Sequence, residues 1–189
     1  MTQDISEAEQ ESNSDDLCHF TVLKGDVTQQ HMDVIGLVIP HHLEIKGSLN
    51  TSVFQHAGSE LDDYILEHII TPKPGDVFVT PGFRLKTPNL IFAVIPSWRS
   101  DLDVLDKHIK VAISQIFDQA YKHGFRSIAL PPICLGKIGY KPERGIRLLQ
   151  EAMFSSFRAG ALREIRFVSH NQEHINIYKA RLQKVLGQA

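Results

Sequence analysis

The chain has few cysteines, one tryptophan, no long apolar run and almost no net charge. Its two cysteines, Cys18 and Cys134, do not make a disulfide framework, so a reducing, cytoplasmic setting is expected. No apolar run approaches the ~20 residues needed to cross a bilayer as a helix, so no membrane partner is expected. The opening stretch MTQDISEAEQESNSDD contains no Lys or Arg. A secretory leader needs a basic start and an apolar centre, and this stretch has neither. Its composition reads as a solvated, disordered acidic tail over residues 1–16. The formal net charge of −2, from 20 basic and 22 acidic residues, lacks the basic excess of a general nucleic-acid binder. Ten histidines are present, but no HExxH and no paired CxxC. The adjacent pair His41-His42 is poorly placed for one ion. Neither a metal nor a cofactor is expected.

What remains is a chain of 189 residues, 42% apolar and 22% charged, enough for one domain with a sizeable core over residues 17–189. CHFTVL (18–23) and DVIGLVI (33–39) read as strands, the second apolar throughout as in a sheet covered on both faces. Residues 49–70 show helical spacing at Leu49, Val53, Phe54, Ala57, Leu61, Ile65 and Ile69. DVFVT (76–80) and NLIFAVI (89–95) are further strands. The clearest helix is 104–124, and Gly124 fits its C-terminal stop. A short strand at 126–130, a helix at 142–160, a strand at 163–169 and a closing helix at 172–187 complete the pattern. Strands alternating with helices favour an α/β fold with a mixed or parallel sheet covered on both faces. Ligands of such sheets sit beyond the carboxyl ends of the strands. Two glycine-bearing loops lie at such ends, PHHLEIKGSLN after the second strand and PPICLGKIGYKP after the fifth.

The second loop admits three readings. Its glycines, Gly136 and Gly139, would let backbone N–H groups approach an anion, with Lys137 adding charge and a helix following. Cys134 could instead serve as a nucleophile. A Cys-x5-Arg phosphate loop would need arginine where Tyr140 stands, and GxxxxGK[ST] fails because Ile138 follows Gly136-Lys137. The third reading is an ordinary strand-to-helix corner.

Lys24-Gly25-Asp26-Val27-Thr28, Asp33-Val34-Ile35, Leu43, Gly47, Leu49 and His56-Ala57-Gly58 together resemble the macrodomain family in order and spacing. Gly75-Asp76, Thr80-Pro81-Gly82, Leu85 and Pro96-Ser97-Trp98 match further landmarks, and Pro131 to Gly139 resembles the family's P-x-I-S-T-G-x-[YF]-G loop. The resemblance runs from about 19 to 182. It implies a three-layer α/β/α sandwich around a mixed sheet of about six strands, and a site for ADP-ribose. It implies that Asp26 accepts a hydrogen bond from the adenine amino group and that Val27 lies against the base. His170 falls where the family often has an aromatic beside the adenine. By the same resemblance the backbone of Gly47, Ser48 and Leu49 and that of Cys134, Leu135, Gly136, Lys137, Ile138, Gly139 and Tyr140 cradle the diphosphate and the far ribose.

The chain also departs from the family. Its N-A-A-N segment falls on Leu37-Val38-Ile39-Pro40, so Pro40 replaces the asparagine that grips the far ribose and offers no amide donor. Asn50 stands where hydrolases of this fold carry a water-activating aspartate, and the glycine triplet is reduced to Lys46-Gly47-Ser48. Ile138 replaces the aromatic over the ribose. The leading expectation is a binding module for ADP-ribose or a related adenine nucleotide diphosphate, with ADP-ribose or an ADP-ribosylated protein as partner, without the usual hydrolase apparatus. One alternative is an ADP-ribosyl hydrolase or ADP-ribose 1″-phosphate phosphatase using His41, His42 or Glu44 as a non-standard acid or base. The other is a ligand-free protein-interaction scaffold.

Overall fold

The computed structural model describes residues 18–41, 48–69, 71–96, 102–132, 141–158 and 160–186. Six strands form one sheet: β1 (His19–Lys24), β2 (Val34–Pro40), β3 (Val77–Pro81), β4 (Asn89–Ile95), β5 (Ser127–Leu130) and β6 (Glu164–Ser169). Their order is β1-β6-β5-β2-β4-β3, parallel throughout except for the antiparallel pair β3 and β4. Among the described residues five α-helices cover it: α1 (Ser48–Ala57), α2 (Ser59–His68), α3 (Leu102–Lys122), α4 (Pro142–Ser156) and α5 (Gln172–Leu186). The expected α/β/α sandwich with a mixed six-stranded sheet is what the chain forms.

Alternation along the strands sorts the side chains into two cores, as period two requires. Ile35, Leu37, Ile39, Leu90, Phe92 and Val94 meet Val53, Phe54, Ala57, Leu61 and Ile65 of α1 and α2. Val34, Ile91, Ala93, Ile128, Ile165 and Phe167 point the other way, toward α3, α4 and α5. The stripe read from the sequence of α3 is the buried one: Leu105, Ile109, Ala112, Ile113, Ile116, Phe117 and Ala120. Each of its large members contributes on the order of 1.5–3 kcal/mol by leaving water. Gly36 is what lets α3 sit this close. A Cβ there would stand 2.6 Å from Ile116 Cγ2 and 2.9 Å from Leu130 Cδ2.

The single helix expected over 49–70 is two helices. Gly58 parts them with a φ of +88°, a conformation that side chains disfavour, and serves as the N-cap of α2. Apolar periodicity hid the break because both helices bury the same face. The helix expected to reach 160 ends at Ser156, with Phe157 extended. Pro142 opens α4, where its missing N–H costs nothing.

The edge at which the parallel strands begin is stitched together. His19 N donates to Arg163 O at 2.8 Å, and Arg163 N donates to Arg126 O at 2.7 Å. Asp33 Oδ2 then accepts from Arg126 N at 2.7 Å and from Ser127 N at 2.9 Å. Asp33 N donates to Ser127 Oγ at 2.8 Å, and Asn89 Nδ2 donates to Asp33 O at 2.9 Å. The starts of β1, β6, β5, β2 and β4 are thereby linked in sequence.

Candidate functional site

The carboxyl ends of β1, β6, β5, β2 and β4 share the opposite edge of the sheet. Lys24 lies level with Ser169, Leu130 with Phe167, and Pro40 with Ile95. β5 is the shortest of these strands. Its pairing with β2 sets Val34 against Ile128 and Ile35 against Ala129, so β2 runs on past the level at which β5 stops. Connections leave β2 toward β3 and β4, and leave β5 toward β6. The gap between them is therefore the switch point at which open α/β sheets take ligands.

Asp26, between β1 and β2, is placed by its own neighbours. It caps a single 3-10 turn, Val27–Gln29. Asp26 Oδ1 accepts from Thr28 N at 2.8 Å and from Thr28 Oγ1 at 2.7 Å. The side-chain oxygen of an aspartate commonly satisfies the free amides of such a turn. Gln30 Nε2 holds the Asp26 carbonyl at 2.7 Å, and Gly25 N donates to Ser169 O at 2.9 Å, which fixes the turn beside the end of β6. Val27 is 2% exposed and belongs to the core that packs against α1 and α2. Asp26 Oδ2 lies 4.0 Å from His170 Nε2. Burial pushes the Asp26 carboxyl up. The Thr28 hydroxyl and amide, then His170 and His56, outweigh it and hold the group below the usual aspartate range. The carboxylate is thus kept ionised, with one oxygen committed and the other facing an exposed ring.

His170 follows β6, with 70% of its side chain exposed. Behind it Ser169 Oγ lies 3.0 Å from His174 Nδ1 and accepts from Asn171 N at 3.2 Å. His56, on α1, is exposed, and its Nδ1 donates to Ser52 O at 2.8 Å. Sequence reasoning picked out Asp26, Val27 and His170, and the structure brings them together. It missed Thr28 and His56. The Asp-x-Thr spacing of a capped turn was the available signal for Thr28.

Pro40 ends β2 within the sheet. His41 N donates to Ile95 O at 2.9 Å, so that amide faces β4. By alternation the Pro40 nitrogen faces the other side, beyond the end of β5, and the missing N–H costs no ladder bond. His41 is half-buried beside it. Ser48 and Leu49 are the first two residues of α1. His42, Glu44, Gly47 and the run Cys134, Leu135, Gly136, Lys137, Ile138, Gly139 and Tyr140 lie outside the described residues. Among the described residues, no group of three or more His, Cys, Asp or Glu is placed to hold a metal ion. Nor is any helix among them long and apolar enough to cross a membrane.

The model of the macro domain family matches residues 40–149, more than half of the chain. This chain belongs to the macro domain family. The match stops short of Asp26, Val27 and His170. A macro domain-containing protein of Listeria monocytogenes is 27% identical over 169 residues, covering 84% of this chain and 94% of that protein. An O-acetyl-ADP-ribose deacetylase of Citrobacter rodentium is 27% identical over 167 residues, covering 84% of this chain and 92% of the enzyme. An uncharacterized protein of Thermotoga maritima is longer: a 25% identical match takes in 84% of this chain but 27% of that one. Among solved structures, the Trypanosoma brucei macrodomain in complex with ADP-ribose superposes with a TM-score of 0.77 at 19% identity, over 90% of this chain and 72% of that one.

Proposed function

We propose that this macro domain binds ADP-ribose or a related adenine nucleotide diphosphate, free or on an ADP-ribosylated protein. The observation that carries the reading is the Asp26 carboxylate. Its Oδ1 is fixed by two Thr28 donors, and its ionised Oδ2 lies 4.0 Å from His170 Nε2, just past the end of β6. An acceptor so placed suits the exocyclic amino group of adenine, with the His170 ring beside the base. The diphosphate then runs toward the β2–β5 gap. Backbone amides of Gly47, Ser48, Leu49 and the 134–140 run are the proposed cradle, at the N-terminus of α1, an end of a helix that suits an anion. The far-ribose end is the rebuilt part, with Pro40, Asn50 and Ile138 in place of an amide, an acid and an aromatic. That supports binding without the usual hydrolysis. The low cysteine count supports a reducing, cytoplasmic setting.

A second reading, hydrolysis of an ADP-ribose conjugate by His41, His42 or Glu44, draws support from the activity named for the Citrobacter rodentium relative. Calorimetric titration with ADP-ribose and with AMP tests the first reading. Micromolar binding of ADP-ribose, about −8 kcal/mol, with weaker binding of AMP is the expected result. A folded protein that gives no heat with either ligand refutes it. Release of product from ADP-ribosylated protein, lost in His41→Ala, His42→Ala or Glu44→Gln, would select the second.

A further inference from the structure

The contact between Asp26 Oδ2 and His170 Nε2, at 4.0 Å, joins the acceptor offered to the base to an imidazole, the side-chain type used as a proton switch in proteins. We propose that His170 is a proton-controlled determinant of base selectivity. As a neutral imidazole it leaves Asp26 Oδ2 to the exocyclic amino group of adenine, and as an imidazolium it claims that oxygen for itself. The inference rests on the ADP-ribose reading above.

Competition follows from the committed state of the other oxygen. Asp26 Oδ1 already takes two hydrogen bonds from Thr28, so a second ligand for the carboxylate has to use Oδ2. Adenine presents a donor there. A base with a carbonyl at the same position presents an acceptor, gains nothing from a carboxylate, and gains a donor when the ring beside it is protonated. Acidification should therefore weaken the preference for adenine.

The charged and titratable neighbours come from three elements. β1 ends in Lys24, directly before the Asp26 turn. α1 carries His56, whose Nδ1–H is held by Ser52 O at 2.8 Å. α5 carries Glu173 and His174. Burial pushes the His174 imidazole down against the upward pull of Glu173, which favours its neutral form. Asp26 itself stays ionised across the range in which imidazoles titrate, because its carboxyl lies below the usual aspartate range. The ring that the structure pairs with Oδ2 is His170.

The test is the ratio of affinities for ADP-ribose and its hypoxanthine analogue between pH 5.5 and pH 8. The phosphates of both ligands are diesters and lack the second ionisation of a monoester, so phosphate charge is constant in this range. Taking the ratio cancels general charge effects of the protein. In wild type the preference for adenine should fall about two- to fivefold on acidification, the size of an exposed ion pair. In His170→Phe, which keeps a ring but not the proton, the ratio should be flat. His56→Gln should keep the fall. A flat ratio in wild type overturns the proposal, as does a fall that survives in His170→Phe or vanishes in His56→Gln. Absence of ADP-ribose binding at every pH by folded protein overturns the ADP-ribose reading itself, and this inference with it.

Discussion

The substitution Asp26→Asn isolates the one oxygen that the base would use. The carbonyl of the new side-chain amide can still accept from Thr28 N and Thr28 Oγ1, now at 2.8 and 2.7 Å from Asp26 Oδ1, so the capped turn survives. The second oxygen is replaced by an NH₂ group that donates, and it meets the adenine amino group donor to donor. Loss of a hydrogen bond to a charged acceptor costs roughly 1.5–3 kcal/mol. The side chain is 26% exposed, which places the loss in the lower half of that range. Affinity for ADP-ribose should then fall roughly ten- to fiftyfold at pH 7.5, with little change in stability. Asp26→Ala is the contrasting variant. It removes the acceptor for Thr28 as well, and should add about 0.5–2 kcal/mol of destabilisation from the lost cap. Calorimetry gives the affinity, and urea denaturation gives the stability. Wild-type affinity in a folded Asp26→Asn protein would remove Asp26 from the site and refute the argument.

Stability contributed by Asp26 should be complete above the ordinary aspartate value and be lost as pH falls through its lowered folded value, because the native carboxyl releases its proton more readily than the unfolded one. The gap in unfolding free energy between wild type and Asp26→Ala should therefore close in acid below about pH 4, and a gap that widens there would contradict it. Gly36→Ala should cost about 1–3 kcal/mol in urea denaturation, since its Cβ would crowd Ile116 and Leu130, and unchanged stability would mean that α3 yields freely. Tyr178→Phe should be neutral or stabilising by up to about 1 kcal/mol, because the buried Tyr178 hydroxyl has no hydrogen-bond partner among the described residues; a loss above that would reveal one. Burial, then Glu164, push the Cys18 thiol up to about 11, so its alkylation at pH 8, read by mass spectrometry, should be at least about a hundredfold slower than that of a free thiol.

The layered fold was legible because both of its periods are strong. Continuous apolar strands such as 34–39 and the helical stripe of α3 can be satisfied only in a sheet covered on both faces. The break at Gly58 was not legible from periodicity, since a kink that keeps the same face inward leaves the apolar pattern intact. At the site, Asp26 and Val27 could be read from a short motif, because the turn that places them is local. His170 could be placed there only through the family resemblance and the nearness of His56 not at all, since both depend on β6 and α1 lying beside a turn more than a hundred residues from the first and thirty from the second. Pro40 looked like a departure in the sequence. Its fit to the ladder depends on where β5 stops, which only register reveals.

The stitched edge through Arg163, Arg126, Asp33 and Asn89 makes the sheet resemble a book bound along one side. At the opposite edge the described backbone bonds past the strand ends fall into two groups, one on each side of β5: Gly25 with Ser169, and His41 with Ile95 together with Gly75 and Asp76 with Val94. Local opening in proteins spans free energies from near zero up to that of global unfolding. The Arg126, Ser127 and Arg163 amides, each hydrogen-bonded at this edge, should exchange with solvent hydrogen more slowly than unbonded amides at the opposite one. The leaves on either side of β5 can part at the unbound side by far smaller fluctuations. A ligand taken up as proposed would enter there without breaking the binding, and substitutions along that margin should be borne better than at the spine.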